Sequence, residues 1–242
     1  MKLLDLTLPS PAENLAGDEA LLDVGETDGA DEVLRFWESP QTFVVVGYAN
    51  QVAAEVNVAA CAARGIPILR RCTGGGTVVQ GPGCLNYALS LRIQADGPTR
   101  SIRTANQFIM ERNGAALAAA LGRSPSAIRV QGHTDLTLDG RKFSGNAQRR
   151  RRQYLLFHGT LLLEFDLAMV HELLRLPALQ PDYRAGRSHG DFLTRLPLSR
   201  DQARAALALA WHAEQPLTPP PHGHTAALVA EKYSRAEWNF KL

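Results

Sequence analysis

Apolar positions Leu15, Ala20, Leu21, Leu22 and Val24, with Asp18 and Glu19 between them, predict a helix over 14–24. Two runs rich in β-branched and aromatic residues, 33–37 and 42–47, predict strands separated by a Ser39-Pro40 turn. The Ala-rich stretch 52–64, with Val56 and Val58 among its alanines, predicts one helix that stops before Gly65. A strand over 66–71 leads into Gly74-Gly75-Gly76, and alternation over 85–93 predicts another. A long helix is expected over 102–121, apolar at Phe108, Ile109, Ala115, Ala116, Leu117 and Ala120 and closed by Gly122. Strands over 128–138 and 141–147 are joined at Asp139-Gly140, the strongest short hairpin signal, and 153–165 continues the series. A short helix follows over 166–174. The stretch 175–197, with Pro177, Pro181 and Pro197 and little periodicity, reads as a long functional or mobile loop. Ser199 caps a helix over 199–212 with Asp201 in its first turn, 216–221 breaks the chain, and 226–233 is a last short helix. Helices interspersed among strands make the class α+β.

The chain of 242 residues fits one large domain, 1–242, with 215–242 as an extension packed on it. Its 45% hydrophobic and 21% charged residues are an ordinary globular balance, and a net charge of +2 excludes a histone-like nucleic-acid binder. Asp5 and Pro9 interrupt the N-terminus before a secretory apolar region can form, and no apolar run reaches the roughly 18 residues of a membrane span. Cys61, Cys72 and Cys84 are too few for a disulfide framework and lack zinc spacing, so free thiols in a reducing cytoplasm are expected.

Two glycine-rich segments carry the candidate chemistry. Arg70-Arg71-Cys72-Thr73-Gly74-Gly75-Gly76-Thr77-Val78 places consecutive glycines, which let a backbone approach a ligand, behind two arginines able to grip a carboxylate or phosphate. Gly140-Arg141-Lys142-Phe143-Ser144-Gly145-Asn146-Ala147-Gln148 sets a lysine between strand-like runs, ten residues before His158-Gly159-Thr160-Leu161-Leu162. Each has an ordinary alternative: Lys142 as a solvated hairpin lysine, His158 as a satisfied core histidine, Cys72 and Cys84 as small buried residues. Arg149–Arg152 reads either as an exposed charged turn or as a basic docking ridge.

Taken in order with Asn86 and Asp135-Leu136, these motifs resemble the catalytic domain shared by lipoate–protein ligases, octanoyl transferases and, more distantly, biotin–protein ligases, and are most similar to the lipoate–protein ligases. The resemblance runs from about residue 14 to the Tyr233–Trp238 tail. It implies a mixed, largely antiparallel sheet backed by helices. It implies that Arg70, Arg71, Thr73, Gly74, Gly75, Gly76, Thr77 and Val78 contact the acyl carboxylate or adenylate phosphate, with Asn86, Ser144, Gly145 and Ala147 also lining the site. Lys142 would be the central cation at the acyl-phosphate oxygens, and Asp135 would lie near the nucleotide or its metal. His158, Gly159, Thr160 and Leu161 would line the pocket and hydrogen-bond through their backbone. The implied substrates are ATP with Mg²⁺ and lipoic or octanoic acid. The implied partner is a lipoyl carrier domain of E2 or H-protein type, with a separate accessory chain as an option and neither nucleic acid nor membrane involved.

Within this resemblance the transferases hold the acyl group on a cysteine, either just upstream of the Asp-Leu strand or three residues before the His-Gly pair. Residues 129–134 and Leu155 offer none, which favours a ligase working through an acyl-adenylate. In the other direction, Gly81-Pro82-Gly83-Cys84-Leu85 resembles a transferase run, and Thr134 stands where ligases carry asparagine before Asp135. A transferase acting without ATP, and a non-catalytic binder of acyl-adenylate or lipoyl protein, are the competing readings. Arg184, Arg187, His189 and Arg195 are candidates to close over the adenylate.

Overall fold

The computed structural model describes residues 1–177 and 179–242. Its strands are β1 (Lys2–Asp5), β2 (Val33–Trp37), β3 (Phe43–Val46), β4 (Ile68–Arg70), β5 (Val78–Gln80), β6 (Cys84–Arg92), β7 (Ile128–Gln131), β8 (Asp135–Leu138), β9 (Arg141–Arg150), β10 (Tyr154–Leu162) and β11 (Gln215–Pro216). Its helices are α1 (Pro11–Asp28), α2 (Val52–Glu55), α3 (Val58–Ala63), α4 (Ile102–Ala120), α5 (Ala168–Leu173), α6 (His189–Phe192), α7 (Arg200–Ala210), α8 (His222–Leu228) and α9 (Ala236–Asn239).

An eight-stranded sheet runs in the order β11-β1-β2-β6-β10-β9-β8-β7, with only the β11-β1-β2 edge parallel. One face carries Leu34, Phe36, Leu85, Tyr87, Leu136 and Phe157, which meet α4 and α7 through Ile109, Met110, Leu117 and Leu207 in the main core. The other face is covered by α1. A smaller sheet, β4-β3-β5, has its own core around Val44, Val46, Val79 and Phe165. This is the mixed, mostly antiparallel α+β arrangement expected.

Local rules account for most boundaries. Ser10, Ser101 and Ser199 close capping boxes at α1, α4 and α7, each satisfying amide groups that the first helical turn leaves unpaired. Asp139 and Gly140 adopt φ of 51° and 75°, the positive values a tight hairpin needs, and join β8 to β9.

Four expectations change. The stretch 52–64 is two short helices, because Val56 turns extended to bridge Leu174 and Asn57 restarts the chain as the cap of α3. The stretch 128–138 is two antiparallel strands that turn at Gly132, which takes φ 55°. Residues 182–192 of the expected loop form a short 3₁₀ turn, Asp182–Arg184, and α6. Finally, β1, β5 and β11 were not expected; strands this short carry too little alternation to register.

Candidate functional site

The face of the large sheet opposite the main core is built from two cross-strand rows. Arg35, Ala88, His158 and Ala147 form one row, and Trp37, Asn86, Thr160, Gly145 and Asp135 the next. Side chains alternate between faces along a strand, so these residues share a surface although they come from five strands. Ser144, Gly159 and Leu161 fall on the alternate positions and face the core. Gly159 is required there by close approach: a Cβ would lie 1.6 Å from Asn146 Oδ1, whose carboxamide accepts from Tyr87 Oη at 2.6 Å.

Lys142 reaches the site face only through a bulge. Asp135 pairs with Gly145 and Leu136 with Ser144, but Thr137 pairs with Lys142, leaving Phe143 as the extra residue. Regular pairing would put Lys142 on the side of Ser144, toward the core. The bulge puts it on the side of Asp135 and Gly145. There Lys142 Nζ meets Asp135 Oδ1 at 2.8 Å, and the missing side chain of Gly145 leaves the space its ammonium fills.

Above this surface the chain from Arg71 to Thr77 forms the glycine loop. Only Gly75 takes positive φ, 87°. Its carbonyl oxygen presses against Gly47, where a Cβ would come within 2.0 Å of it. Gly74 and Gly76 have open space where side chains would be, so their exposed backbone is available to a ligand. The two arginines support the loop from beneath. Arg71 donates from Nη2 to Gly76 O at 2.9 Å and from Nε to Thr73 Oγ1 at 3.0 Å, and burial lowers its pKa to about 10, still charged at neutral pH. Arg70 is fully buried and donates to the carbonyls of Gly47, Asn50 and Trp238 at 2.8, 2.8 and 3.1 Å. Both guanidinium groups thus spend hydrogen bonds on main-chain carbonyls rather than pointing into the open surface. Thr77 is anchored through its amide to Glu55 Oε2 at 3.1 Å, and Asn50 Nδ2 donates to the same oxygen at 2.7 Å; Val78 starts β5 beside it.

Behind the loop runs a buried chain. Thr73 Oγ1 lies 2.7 Å from His158 Nε2, and His158 Nδ1 lies 3.0 Å from Asp18 Oδ2. Asp18 Oδ1 accepts from Arg35 Nη1 at 2.6 Å and Trp37 Nε1 at 3.1 Å. Arg71 already donates to Thr73 Oγ1, so the consistent polarity has the threonine hydroxyl donating to His158 and the histidine N–H donating to Asp18. Asp18, Arg35 and Glu55 were not singled out by sequence; Asp18 and His158 stand 140 positions apart. Alongside, Thr160 Oγ1 donates to Asn86 Oδ1 at 2.6 Å and accepts from Gln80 Nε2 at 2.9 Å.

A lid rests on the other side of Lys142. Tyr183 Oη donates to Asp135 Oδ2 at 2.6 Å, and burial, reinforced by that carboxylate, pushes its phenol pKa up. Thr194 N and Lys142 O bond at 2.9 Å, and Arg187 Nη1 donates to Gly140 O at 3.1 Å. Arg184 is buried against His189, and Arg195 donates to Phe165 O at 2.8 Å. Arg184 and His189 thus hold the lid together, while Arg187 and Arg195 tie it to the β8–β9 hairpin and to the segment after β10. Arg149–Arg152 do not form one ridge: Arg149 reaches back to Cys72 O at 2.8 Å, Arg150 to Thr99 O at 2.8 Å, and Arg151 pairs with Asp23 at 2.9 Å.

All three cysteines are buried free thiols. Burial pushes Cys72, next to the glycine loop, up to about 12, and raises Cys84 and Cys61 as well. Among the described residues no group of three or more His, Cys, Asp or Glu side chains is arranged to hold a metal ion, and no helix is long and apolar enough to cross a membrane.

Residues 10–197 match the lipoyl protein ligase A/B catalytic domain. The chain belongs to this family. It is 30% identical over 172 residues to a candidate lipoate-protein ligase A of Aeropyrum pernix, an alignment covering 71% of this chain and 61% of that one. It is 27% identical to the octanoyltransferase LipM of Geobacillus kaustophilus over 99% of this chain and 98% of that one. Among solved structures, an archaeal bipartite lipoate protein ligase studied with its E2 lipoyl domain, from Thermoplasma acidophilum, superimposes with a TM-score of 0.82 at 25% identity, covering 99% of this chain and 95% of that one. Its relatives therefore carry both lipoate-protein ligase and octanoyltransferase names.

Proposed function

We propose that this chain is a lipoate–protein ligase, which joins lipoate or octanoate to AMP at the expense of ATP and passes the acyl group to a lysine of a lipoyl carrier domain. The observation that carries this reading is the chemistry flanking the glycine loop. A lysine ammonium is fixed against Asp135 and Gly145 on the same sheet face that the open glycine loop meets at Ala147, and the one cysteine adjacent to that loop is buried with its thiol pushed up to about 12. Thioester catalysis needs a reachable thiolate. Adenylation instead needs fixed positive charge where the carboxylate meets the α-phosphate, and Lys142 with the amides of the Gly74–Gly76 loop supplies that. Asn86, Asp135, Gly145, Ala147, His158 and Thr160 would form the floor of the site, Arg71 and Thr73 would hold the loop over it, and the backbone of Gly74, Gly76, Thr77 and Val78 would bound the ligand.

A Mg²⁺ ion bound with ATP would take most of its ligands from phosphate oxygens and water. Asp135 fits as a single protein ligand, but both its oxygens are engaged, by Lys142 and Tyr183, so it binds metal only by releasing one of them. The Thermoplasma system supports an E2-type lipoyl domain as the acceptor and a second chain as an accessory. The LipM relatives support a second reading, octanoyl transfer without ATP.

ATP–pyrophosphate exchange with Mg²⁺ and lipoic acid separates the two. Lipoate-dependent exchange that Lys142→Ala abolishes is the expected result. Absence of exchange, together with octanoyl transfer from a carrier thioester without ATP, would overturn the ligase reading.

A further inference from the structure

Beside the glycine loop, a lysine of the chain's own C-terminal segment sits in an aromatic slot. Lys241 Nζ lies 3.4 Å from the ring centroid of Tyr48 and 4.4 Å from that of Trp238, and the two rings stand 5.8 Å apart at 54°. Ammonium over a π-face is held by the ring quadrupole, weakly where solvent reaches it. The contrast with Lys232 is informative. Lys232 also faces Trp238, at 4.1 Å, but its ammonium is fixed by both oxygens of Glu19 at 2.6 and 2.8 Å. Among the described residues no carboxylate or hydrogen-bond acceptor fixes Lys241, so only the two rings hold it.

The slot is joined to the site. Tyr48 N donates to Thr73 O at 2.8 Å, its neighbour Gly47 abuts Gly75 O, and the Arg149 guanidinium stands 5.7 Å from the Tyr48 ring. Gly75 in turn faces Ala147 on the site floor. Tyr48 is nonetheless 43% exposed, high for an aromatic ring at such a junction. A lysine held by an exposed tyrosine and a half-buried tryptophan, on the rim of a loop proposed to bound an acyl-transfer site, has the same side chain as the incoming acceptor, which would attack once it has lost its proton.

We infer that the Tyr48–Trp238 pair is the ammonium-binding site through which the carrier domain's acceptor lysine arrives, and that Lys241 occupies it as an internal competitor until the carrier displaces it. This rests on the proposed acyl transfer to a lysine; it does not depend on whether ATP or a thioester supplies the acyl group. The slot holds the side chain as a cation before transfer, and Lys241 tunes how readily the carrier is accepted.

The test compares Lys241→Gln, Tyr48→Leu and Tyr48→Phe, with an apo E2-type lipoyl domain as acceptor. Lys241→Gln is expected to lower the KM for the acceptor by about three- to ten-fold while pyrophosphate exchange stays within about two-fold of the parent. Tyr48→Leu is expected to raise that KM and Tyr48→Phe, which keeps the π-face, to restore it. An acceptor KM that is unchanged or higher in Lys241→Gln, or equal among both Tyr48 variants and the parent, overturns the proposal. If the parent shows no ATP-dependent exchange and transfers octanoate from a carrier thioester instead, the ligase reading fails while the slot is still read from direct binding. Lys241→Gln should then bind the lipoyl domain more tightly, and that gain should vanish with a lipoyl domain whose acceptor lysine is alanine. A gain that persists without that lysine overturns the proposal.

Discussion

Lys142 Nζ lies 2.8 Å from Asp135 Oδ1 because one extra residue in β9, Phe143, turns the lysine onto the carboxylate's side of the sheet. Lys142→Ala should lower lipoate-dependent exchange by about 100-fold or more, the usual cost of losing one preorganised charge-stabilising donor. Circular dichroism and melting temperature should be nearly unchanged, since Asp135 keeps its Tyr183 hydrogen bond. Lys142→Arg should not recover the rate, because a planar guanidinium cannot take the compact place against Gly145.

Cys72 offers a second, independent check. Its thiol, pushed up to about 12, stays protonated at neutral pH. Iodoacetamide at pH near 7.5 should leave activity intact, and Cys72→Ala should cost about 1 kcal/mol of stability with little change in rate. Rapid inactivation, with loss of activity in Cys72→Ala, would mark a thioester enzyme.

Asp18→Ala should be among the most destabilising single changes in the molecule. It strips Arg35 of its carboxylate at 1% side-chain exposure and removes the acceptor of His158. Stranding a buried charge costs about 3–5 kcal/mol, which in a chain of this size is about 10 °C in Tm by calorimetry.

Gly47→Ala tests the glycine loop without removing any hydrogen-bonding side chain. The added Cβ would sit 2.0 Å from Gly75 O, so the loop must move. Exchange activity should fall by at least about ten-fold with only a small change in Tm, as expected when catalytic geometry rather than the core is disturbed.

The lid should loosen in mild acid. Burial first, and the Arg184 guanidinium second, hold His189 below its ordinary imidazole range. Its neutral form accepts from Arg184 and donates to Arg175 O. A base whose folded pKa is depressed stabilises the fold fully above its unfolded pKa, roughly 6.5, and loses that contribution as pH falls below it. Hydrogen exchange over residues 182–193, corrected for intrinsic rates, should rise between pH of about 7.5 and 5.5, and His189→Gln should remove the rise. Tyr183→Phe should raise exchange over the same residues at all pH by about ten-fold, the worth of a hydrogen bond to a carboxylate.

Much of this architecture is legible in the order of residues, where the causes are local. Asp139-Gly140 announces its hairpin because only certain residues tolerate positive φ at both turn positions, and Ser199 announces its helix through a capping box four residues long. What escapes is non-local. Val56 leaves a helical run because Leu174 bridges it, and nothing near Val56 says so. The bulge at Phe143 exists only relative to the partner strand, so the motif shows that Lys142 and Gly145 belong together but not how they come to share a face. Asp18 reads as one more acidic residue on a helix until His158 and Arg35 arrive beside it. Arg70 and Arg71 were legible as important, but not the hydrogen bonds they make to the carbonyls of the turns that shape the loop.

Arg70 also sets a timetable. Its amide donates to Asn239 Oδ1 and its Nε to Trp238 O, 169 and 168 residues downstream. As the chain leaves the ribosome, the strand before the glycine loop therefore lacks these two partners until residue 239 has been made. A domain that forms from its N-terminus onward during synthesis must here wait for residues 238–239 before the support of its glycine loop is in place, so a chain cut short of them would hold the sequence motifs of the site without the surface they build.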